Sequence, residues 1–101
     1  MEYQVIVSDK ATRQIAEHVR FLANVSKPAA QKLKQTFVDS LHSLSSMPQR
    51  YPFFDEEFIP KNKYHKMVID NRYMILYQIK DAAVFADYVV DCRQDYGWLI
   101  R

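Results

Sequence analysis

Residues 72–93 read RYMILYQIKDAAVFADYVVDCR, and this stretch decides the fold. Apolar and β-branched or aromatic residues alternate with other residues along it, which is typical of strands that bury one face. A similar stretch precedes it, and the links at Asp70-Asn71 and Lys80-Asp81 are short enough for tight turns. The pattern therefore predicts three consecutive antiparallel strands at Tyr64–Asp70, Arg72–Lys80 and Ala83–Cys92.

Strict alternation assigns each residue of these strands to a face of the sheet. In the middle strand one predicted face consists of Tyr73, Ile75, Tyr77 and Ile79, and the other of Arg72, Met74, Leu76, Gln78 and Lys80. In the last strand the predicted apolar face consists of Val84, Ala86, Tyr88, Val90 and Cys92. We expect helices to cover the apolar faces and to leave the Arg72–Lys80 and Asp87–Arg93 faces partly open.

The first half of the chain predicts one strand and two helices. Tyr3 to Val7 alternate as a short strand, and Ser8 is a suitable N-cap for a helix over 9–24. Ser26 is the next N-cap candidate, and the second helix should end before Met47-Pro48, because a residue that precedes proline avoids helical geometry. Three of the four prolines lie in residues 48–63, which predicts an irregular but anchored loop.

Length and composition limit the possible functions. A chain of 101 residues predicts one domain, 1–101. Its net charge is only +2, but residues 61–80 carry five basic side chains and one acidic one. The single Cys92, the lack of a signal-like start and the lack of a long apolar run predict a soluble cytoplasmic protein without membrane contact. One cysteine and three scattered histidines predict no metal site, and we expect no cofactor.

The predicted order β-α-α-β-β-β resembles the RelE/ParE superfamily of bacterial type II toxins. RYMILYQI resembles that family's Y-R-hydrophobic-hydrophobic-Y strand, and VVDCRQDY resembles its last strand, which ends in arginine. The resemblance implies an α+β fold, with two antiparallel helices packed on a small, mainly antiparallel sheet and a short C-terminal helical tail. It also implies a toxin that a cognate antitoxin holds inactive.

The family includes two modes of action, and only some of its functional residues have a match in this sequence. RelE-like members cleave mRNA on the ribosome without metal, whereas ParE-like members poison DNA gyrase. Arg93 matches the arginine at the end of the last strand, and Tyr96 matches a tyrosine of some ribonuclease members. Met74 occupies the position of the family's other arginine, with Arg72 two residues earlier, and Asp95 stands where those members have histidine.

The leading hypothesis is an endoribonuclease that cleaves ribosome-bound mRNA. Arg72 and Arg93 would stabilise phosphorane charge, because a guanidinium stays protonated and binds phosphate as a fork. Tyr96 would orient a base, and His65 could replace the missing acid or base. Lys61, Lys63 and Lys66 would bind RNA phosphates, unless they form a solvated charge run.

Each of these residues also has a structural alternative. Arg72 and Arg93 could form surface salt bridges, His65 could pack at the edge of the core, and Tyr96 could seal the core as we expect of Trp98. Glu57 is a weaker candidate for a general base. His18 and His42 are expected to pack or to lie on the surface. A non-enzymatic toxin that binds DNA gyrase, or a degenerate member that binds only its antitoxin, remains as a different class of function.

Overall fold

The structure is a computed structural model, and it describes residues 2–57 and 59–92. The elements follow the predicted order: β1 (Gln4–Val7), α1 (Asp9–Ala23), α2 (Lys27–Ser43), a 3-10 turn (Pro48–Arg50), β2 (His65–Ile69), β3 (Tyr73–Lys80) and β4 (Ala83–Asp91). The two helices pack on one four-stranded sheet, so the α+β prediction is confirmed. Arg93, Tyr96 and the predicted helical tail lie outside the described residues.

The helices begin where the sequence predicts, because a serine caps each of them. The hydroxyl of Ser8 accepts the amide of Ala11 at 2.9 Å, and the hydroxyl of Ser26 accepts the amide of Ala29 at 3.2 Å. These bonds satisfy amides that have no partner inside the first turn. None of the helices among the described residues is long and apolar enough to span a membrane.

The sheet has the strand order β1-β4-β3-β2. The strand β1 pairs with β4 in parallel, and the other neighbours are antiparallel. Asp70 and Asn71 both adopt positive φ, which Asp and Asn tolerate better than most residues, and this confirms the first predicted turn. The second turn consists of Asp81 and Ala82, because Lys80 pairs with Ala83, and it begins one residue later than predicted.

The helix-covered face of the sheet holds the main core, as the alternation of the middle strand predicts. Tyr73, Ile75 and Tyr77 lie in it, with Ile79 at its margin. The helices contribute their apolar stripes, which include Ala11 from α1 and Leu33 and Phe37 from α2.

The predicted faces of the last strand are wrong beyond Ala86. Leu76 pairs with Tyr88 whereas Tyr77 pairs with Ala86, so Asp87 is an extra residue in β4. Such a β-bulge exchanges the faces of all later residues. Val89 therefore joins Val84 and Ala86 in the main core, while Tyr88, Val90 and Cys92 lie on the opposite face.

That opposite face is covered, contrary to the expectation of a partly open surface. Met74 and Leu76 are buried beneath Phe54, Ile59 and Tyr64 of the segment that precedes β2. This covering segment, whose described residues are 51–57 and 59–64, carries its own apolar side chains, and their burial drives it onto the sheet. The domain thus has a second, smaller core on the face that the sequence predicts to be partly open.

Candidate functional site

Arg72 lies in the turn that precedes β3, beside the helices. Its Nε is 3.5 Å from a carboxylate oxygen of Asp91, and its guanidinium lies 5.1 Å from the centre of the Tyr73 ring. Because Arg72 belongs to a turn, strand alternation does not fix its side-chain direction. Its charge is therefore on the Tyr73 side of the sheet, and not with Met74 as the alternation predicts.

A cavity of about 530 Å³ opens beside Arg72, between α1 and the end of β4. Its polar lining includes Gln14, Glu17 and His18 of α1 together with Arg72 and Asp91. Gln14 accepts the amide of Val89 at 2.8 Å, and the Nε2 of His18 is 3.0 Å from the carbonyl oxygen of Val89. The helix thereby satisfies the part of β4 that extends beyond β1, so His18 has the packing role predicted for it. Two carboxylates beside one guanidinium make this cavity a poor site for a phosphate.

His65 is buried at the start of β2, beside the middle of β3. Its Nδ1 is 2.8 Å from the carbonyl oxygen of Tyr51, and its ring stacks between Phe53 at 4.2 Å and Tyr77 at 5.3 Å. A carbonyl can only accept, so Nδ1 carries the proton and donates it. This arrangement matches the alternative of a packed histidine at the edge of the core.

The structure does not bring His65 and Arg72 together. His65 pairs with Tyr77, whereas Arg72 directly precedes Tyr73, four residues earlier on the same strand. Four residues of a strand span about 13 Å. General acid-base groups must be within about 3 Å of the proton that they transfer. Both side chains are also engaged elsewhere, so this structure does not assemble them around one phosphate.

The three predicted RNA-binding lysines lie near the covering segment, with different neighbours. Lys61 is exposed and shares a surface hollow with Asp55, Glu56 and Glu57, which weakens its attraction for an anion. Lys63 is exposed, and its Nζ lies 5.4 Å from the centre of the Tyr64 ring. Lys66 is half-buried on β2, opposite Leu76.

The bulge creates a polar cluster that alternation did not predict. A carboxylate oxygen of Asp87 accepts the hydroxyl of Tyr64 at 3.2 Å and the amide of Gln78 at 2.7 Å. Burial and the Asp87 charge raise the pKa of Tyr64 above its ordinary value. The hydrogen bond between Tyr64 and Asp87 connects the covering segment to the sheet. The signal that could have revealed it is an aspartate inside the apolar run VFADYVV.

The described residues provide no assembled catalytic or metal site. Among residues 2–57 and 59–92, no three or more His, Cys, Asp and Glu side chains are grouped so that they could hold a metal ion. Arg93 and Tyr96, the two residues that best match the ribonuclease pattern, fall outside the described part of the chain.

Comparison with known proteins gives two findings. A family model described as "ParE toxin of type II toxin-antitoxin system, parDE" matches residues 5–96. A chain from a solved structure of the chromosomal ParDE toxin-antitoxin system from P. aeruginosa superposes with a TM-score of 0.75 at 12% identity. That match covers 89% of this chain and 96% of the other. A search of curated proteins finds no match. At this identity the structural likeness establishes the fold alone.

Proposed function

The chain belongs to the ParE toxin family of type II toxin-antitoxin systems, and we propose that it arrests bacterial growth by binding DNA gyrase without cleaving RNA. Gyrase is the target of ParE-like members of the superfamily. One observation carries the proposal: the predicted acid-base group, His65, pairs with Tyr77 in the middle of β3, whereas the predicted charge-stabilising group, Arg72, precedes the first residue of that strand, and each is engaged in packing or pairing.

The chemistry of RNA cleavage makes this separation important. Metal-independent cleavage needs a base for the 2′-hydroxyl, cations for the phosphorane and an acid for the leaving oxygen, all around one phosphate. Instead of an open cationic surface, the face that contains Met74 and Leu76 is an apolar core under the covering segment. Inhibition by binding requires a surface complementary to the target and no assembled active site.

The ribonuclease remains the second candidate, because one local feature favours it. Lys63 is exposed on the covering segment, and Arg93 follows the end of β4 by two residues. Arg93 and Tyr96 match the ribonuclease pattern in sequence. In this alternative the partner is mRNA on the ribosome, and Arg93 is the residue whose loss should abolish cleavage.

Mapping of mRNA 5′-ends in induced cells and a supercoiling assay with the purified toxin separate the candidates. Induction of the toxin without antitoxin should arrest growth and leave mRNA 5′-ends unchanged, and the purified toxin should inhibit supercoiling by gyrase. Arg93→Ala should be compared with Arg20→Ala, which removes an exposed arginine on α1. New 5′-ends in the ribosomal A site that disappear only in Arg93→Ala, together with unimpaired supercoiling, would replace gyrase binding with the ribonuclease.

A further inference from the structure

Three aromatic rings stack in a row beside the start of β2, and the row ends at the surface. Tyr77 is fully buried, His65 is 8% exposed and Phe53 is 43% exposed. The centre of the His65 ring lies 5.3 Å from that of Tyr77 and 4.2 Å from that of Phe53. One face of the Phe53 ring is therefore covered by His65, whereas its exposed part offers ring surface to a further planar group.

The backbone around Phe53 fixes the position of this ring. Phe53 forms a bridge with His65, and the amide of Lys66 donates to the carbonyl of Pro52 at 2.9 Å. The amide of the next residue, Phe54, donates to a carbonyl of the covering segment at 2.7 Å. A ring that is held in place before binding loses little conformational entropy when a ligand stacks on it.

A surface hollow of about 370 Å³ opens beside the Phe53 ring. It is lined by Phe53, Phe54, Asp55, Lys61 and Asn62. The side chains of Asp55, Lys61 and Asn62 make no hydrogen bond or ion pair to another described residue. The hollow thus combines an aromatic wall with a carboxylate that accepts, an ammonium that donates and an amide that does both.

The charges in the hollow limit what can bind there. The Asp55 carboxylate disfavours an anion such as phosphate, and the Lys61 ammonium disfavours a second cation. An unpaired nucleobase avoids both penalties, because it is a neutral, planar ring with donors and acceptors along its edge. A tyrosine or tryptophan of a protein partner would also stack, but it has one polar group to offer to three polar side chains.

We propose that Phe53 is a stacking platform for an unpaired base of a single-stranded nucleic acid. Asp55 and Asn62 contact the edge of the base, and Lys61 contacts a phosphate outside the hollow. Proteins that recognise single strands stack unpaired bases on aromatic side chains in this way. The inference does not rest on the proposed function, and it requires no cleavage, since stacking needs no acid or base at the phosphate.

Short labelled strands test the class of ligand. The probes are single strands of about ten nucleotides, made of deoxycytidine, deoxythymidine or cytidine, and fluorescence anisotropy follows their binding to the purified toxin. The deoxycytidine strand should bind at least about fivefold more tightly than the deoxythymidine strand, because thymine has no exocyclic amino group for Asp55. Comparison of the deoxycytidine and cytidine strands identifies the source of the base, and preferential binding of either one supports the platform.

Two competitors test whether the base must be unpaired and part of a strand. The deoxycytidine strand should bind more weakly once it is annealed to its complement, because paired bases cannot stack on a side chain. Equal binding of strand and duplex would overturn the proposal in favour of attraction by charge alone. Equal affinity for cytidine monophosphate would overturn it in favour of a free nucleotide.

Matched aromatic variants test the platform itself. Phe53→Leu removes the ring and keeps an apolar side chain, so it should weaken binding of the deoxycytidine strand at least about fivefold. Phe21→Leu removes a more exposed ring, which lies on α1 at 65% exposure, and should leave the affinity unchanged. Phe53→Trp keeps a ring and should bind at least as tightly as the unaltered toxin. Equal affinities of Phe53→Leu and Phe21→Leu would refute the platform.

Matched acidic variants test the contact with the base edge without disturbing the ring stack. Asp55→Ala should remove the preference for deoxycytidine over deoxythymidine, which is the ratio of two dissociation constants. Glu57→Ala removes a neighbouring carboxylate that does not line this hollow, and it should keep the preference. A ratio that stays unchanged in Asp55→Ala would refute the contact.

These outcomes are independent of the proposed function. If the toxin inhibits gyrase while Phe53→Leu binds single strands as the unaltered toxin does, the platform fails and the gyrase proposal stands. If Phe53→Leu loses strand binding while the unaltered toxin leaves gyrase unimpaired, the gyrase proposal fails and the platform stands.

Discussion

Replacement of Tyr77 by Phe should destabilise the fold through one identified hydrogen bond. The Tyr77 side chain is fully buried, and its hydroxyl donates to the carbonyl of Pro48 at 2.7 Å. Pro48 begins the 3-10 turn that lies between α2 and the covering segment. Phe preserves the ring and its stacking on His65, so the substitution removes little besides the hydroxyl.

The expected loss of stability comes from the carbonyl of Pro48, which keeps no donor from Tyr77 in the variant. A buried carbonyl that loses its donor costs about 1–3 kcal/mol in the free energy of unfolding. In a domain of this length, ~1 kcal/mol corresponds to a decrease in Tm of about 4–8 °C. Tyr77→Phe should therefore lower Tm by at least about 4 °C.

Tyr73 provides a matched control on the same strand and the same face. It is also buried, with 3% exposure, but its hydroxyl makes no hydrogen bond to another described residue. Tyr73→Phe should therefore change the free energy of unfolding by less than about 0.5 kcal/mol. Urea unfolding of both variants, followed by circular dichroism, gives the comparison. Equal midpoints for the two variants would show that the Tyr77–Pro48 bond contributes nothing measurable.

Three further outcomes follow from the same structure. Burial raises the pKa of Tyr64 and Tyr77 above their ordinary value of about 10. The unfolded chain loses these two phenol protons at a lower pH than the folded chain does. The two tyrosines therefore contribute fully to the free energy of unfolding below about pH 10, and this free energy decreases as the pH rises further. A urea midpoint that does not change between about pH 9 and 11 would contradict this. Asp87→Ala should cost about 1–3 kcal/mol by removing the acceptor of Tyr64 and Gln78, with a smaller loss in Asp87→Asn, and thermal unfolding should rank the two in that order. Met74→Arg should cost at least about 3 kcal/mol, because it buries an unpaired guanidinium in an apolar cluster, and a stable, soluble variant would refute the burial of this face.

The sequence predicted the features that depend on neighbouring residues. The caps at Ser8 and Ser26 and the turn at Asp70-Asn71 are local, because a side chain or a φ angle decides each of them. The faces of β3 from Tyr73 onward were also predicted correctly, since that part of the strand alternates without interruption.

The wrong predictions, such as the faces of β4 beyond Ala86, have one physical origin. They concern parts of the structure that depend on contacts between residues distant in sequence. The bulge at Asp87 is stabilised by Tyr64 and Gln78 and by the hydroxyl of Ser8, which donates to the Asp87 carbonyl at 2.9 Å. No periodicity within β4 encodes those partners. For the same reason the sequence did not predict the surroundings of Arg72 and His65, which the turn that precedes β3 and the covering segment determine.

The burial of Met74 depends on the bulge at Asp87, and it bears on the function because Met74 occupies the position of the superfamily's arginine. Asp87 holds Tyr64, Tyr64 helps to hold the covering segment, and that segment buries Met74 at 4% exposure among Phe54, Ile59 and Leu76. A guanidinium at this position would need both a partner and water, and the apolar side chains of the cluster provide neither. The replacement of the superfamily's arginine by methionine is therefore coupled to the covered face. The side chain at position 74 is therefore not available to hold a phosphate in this structure.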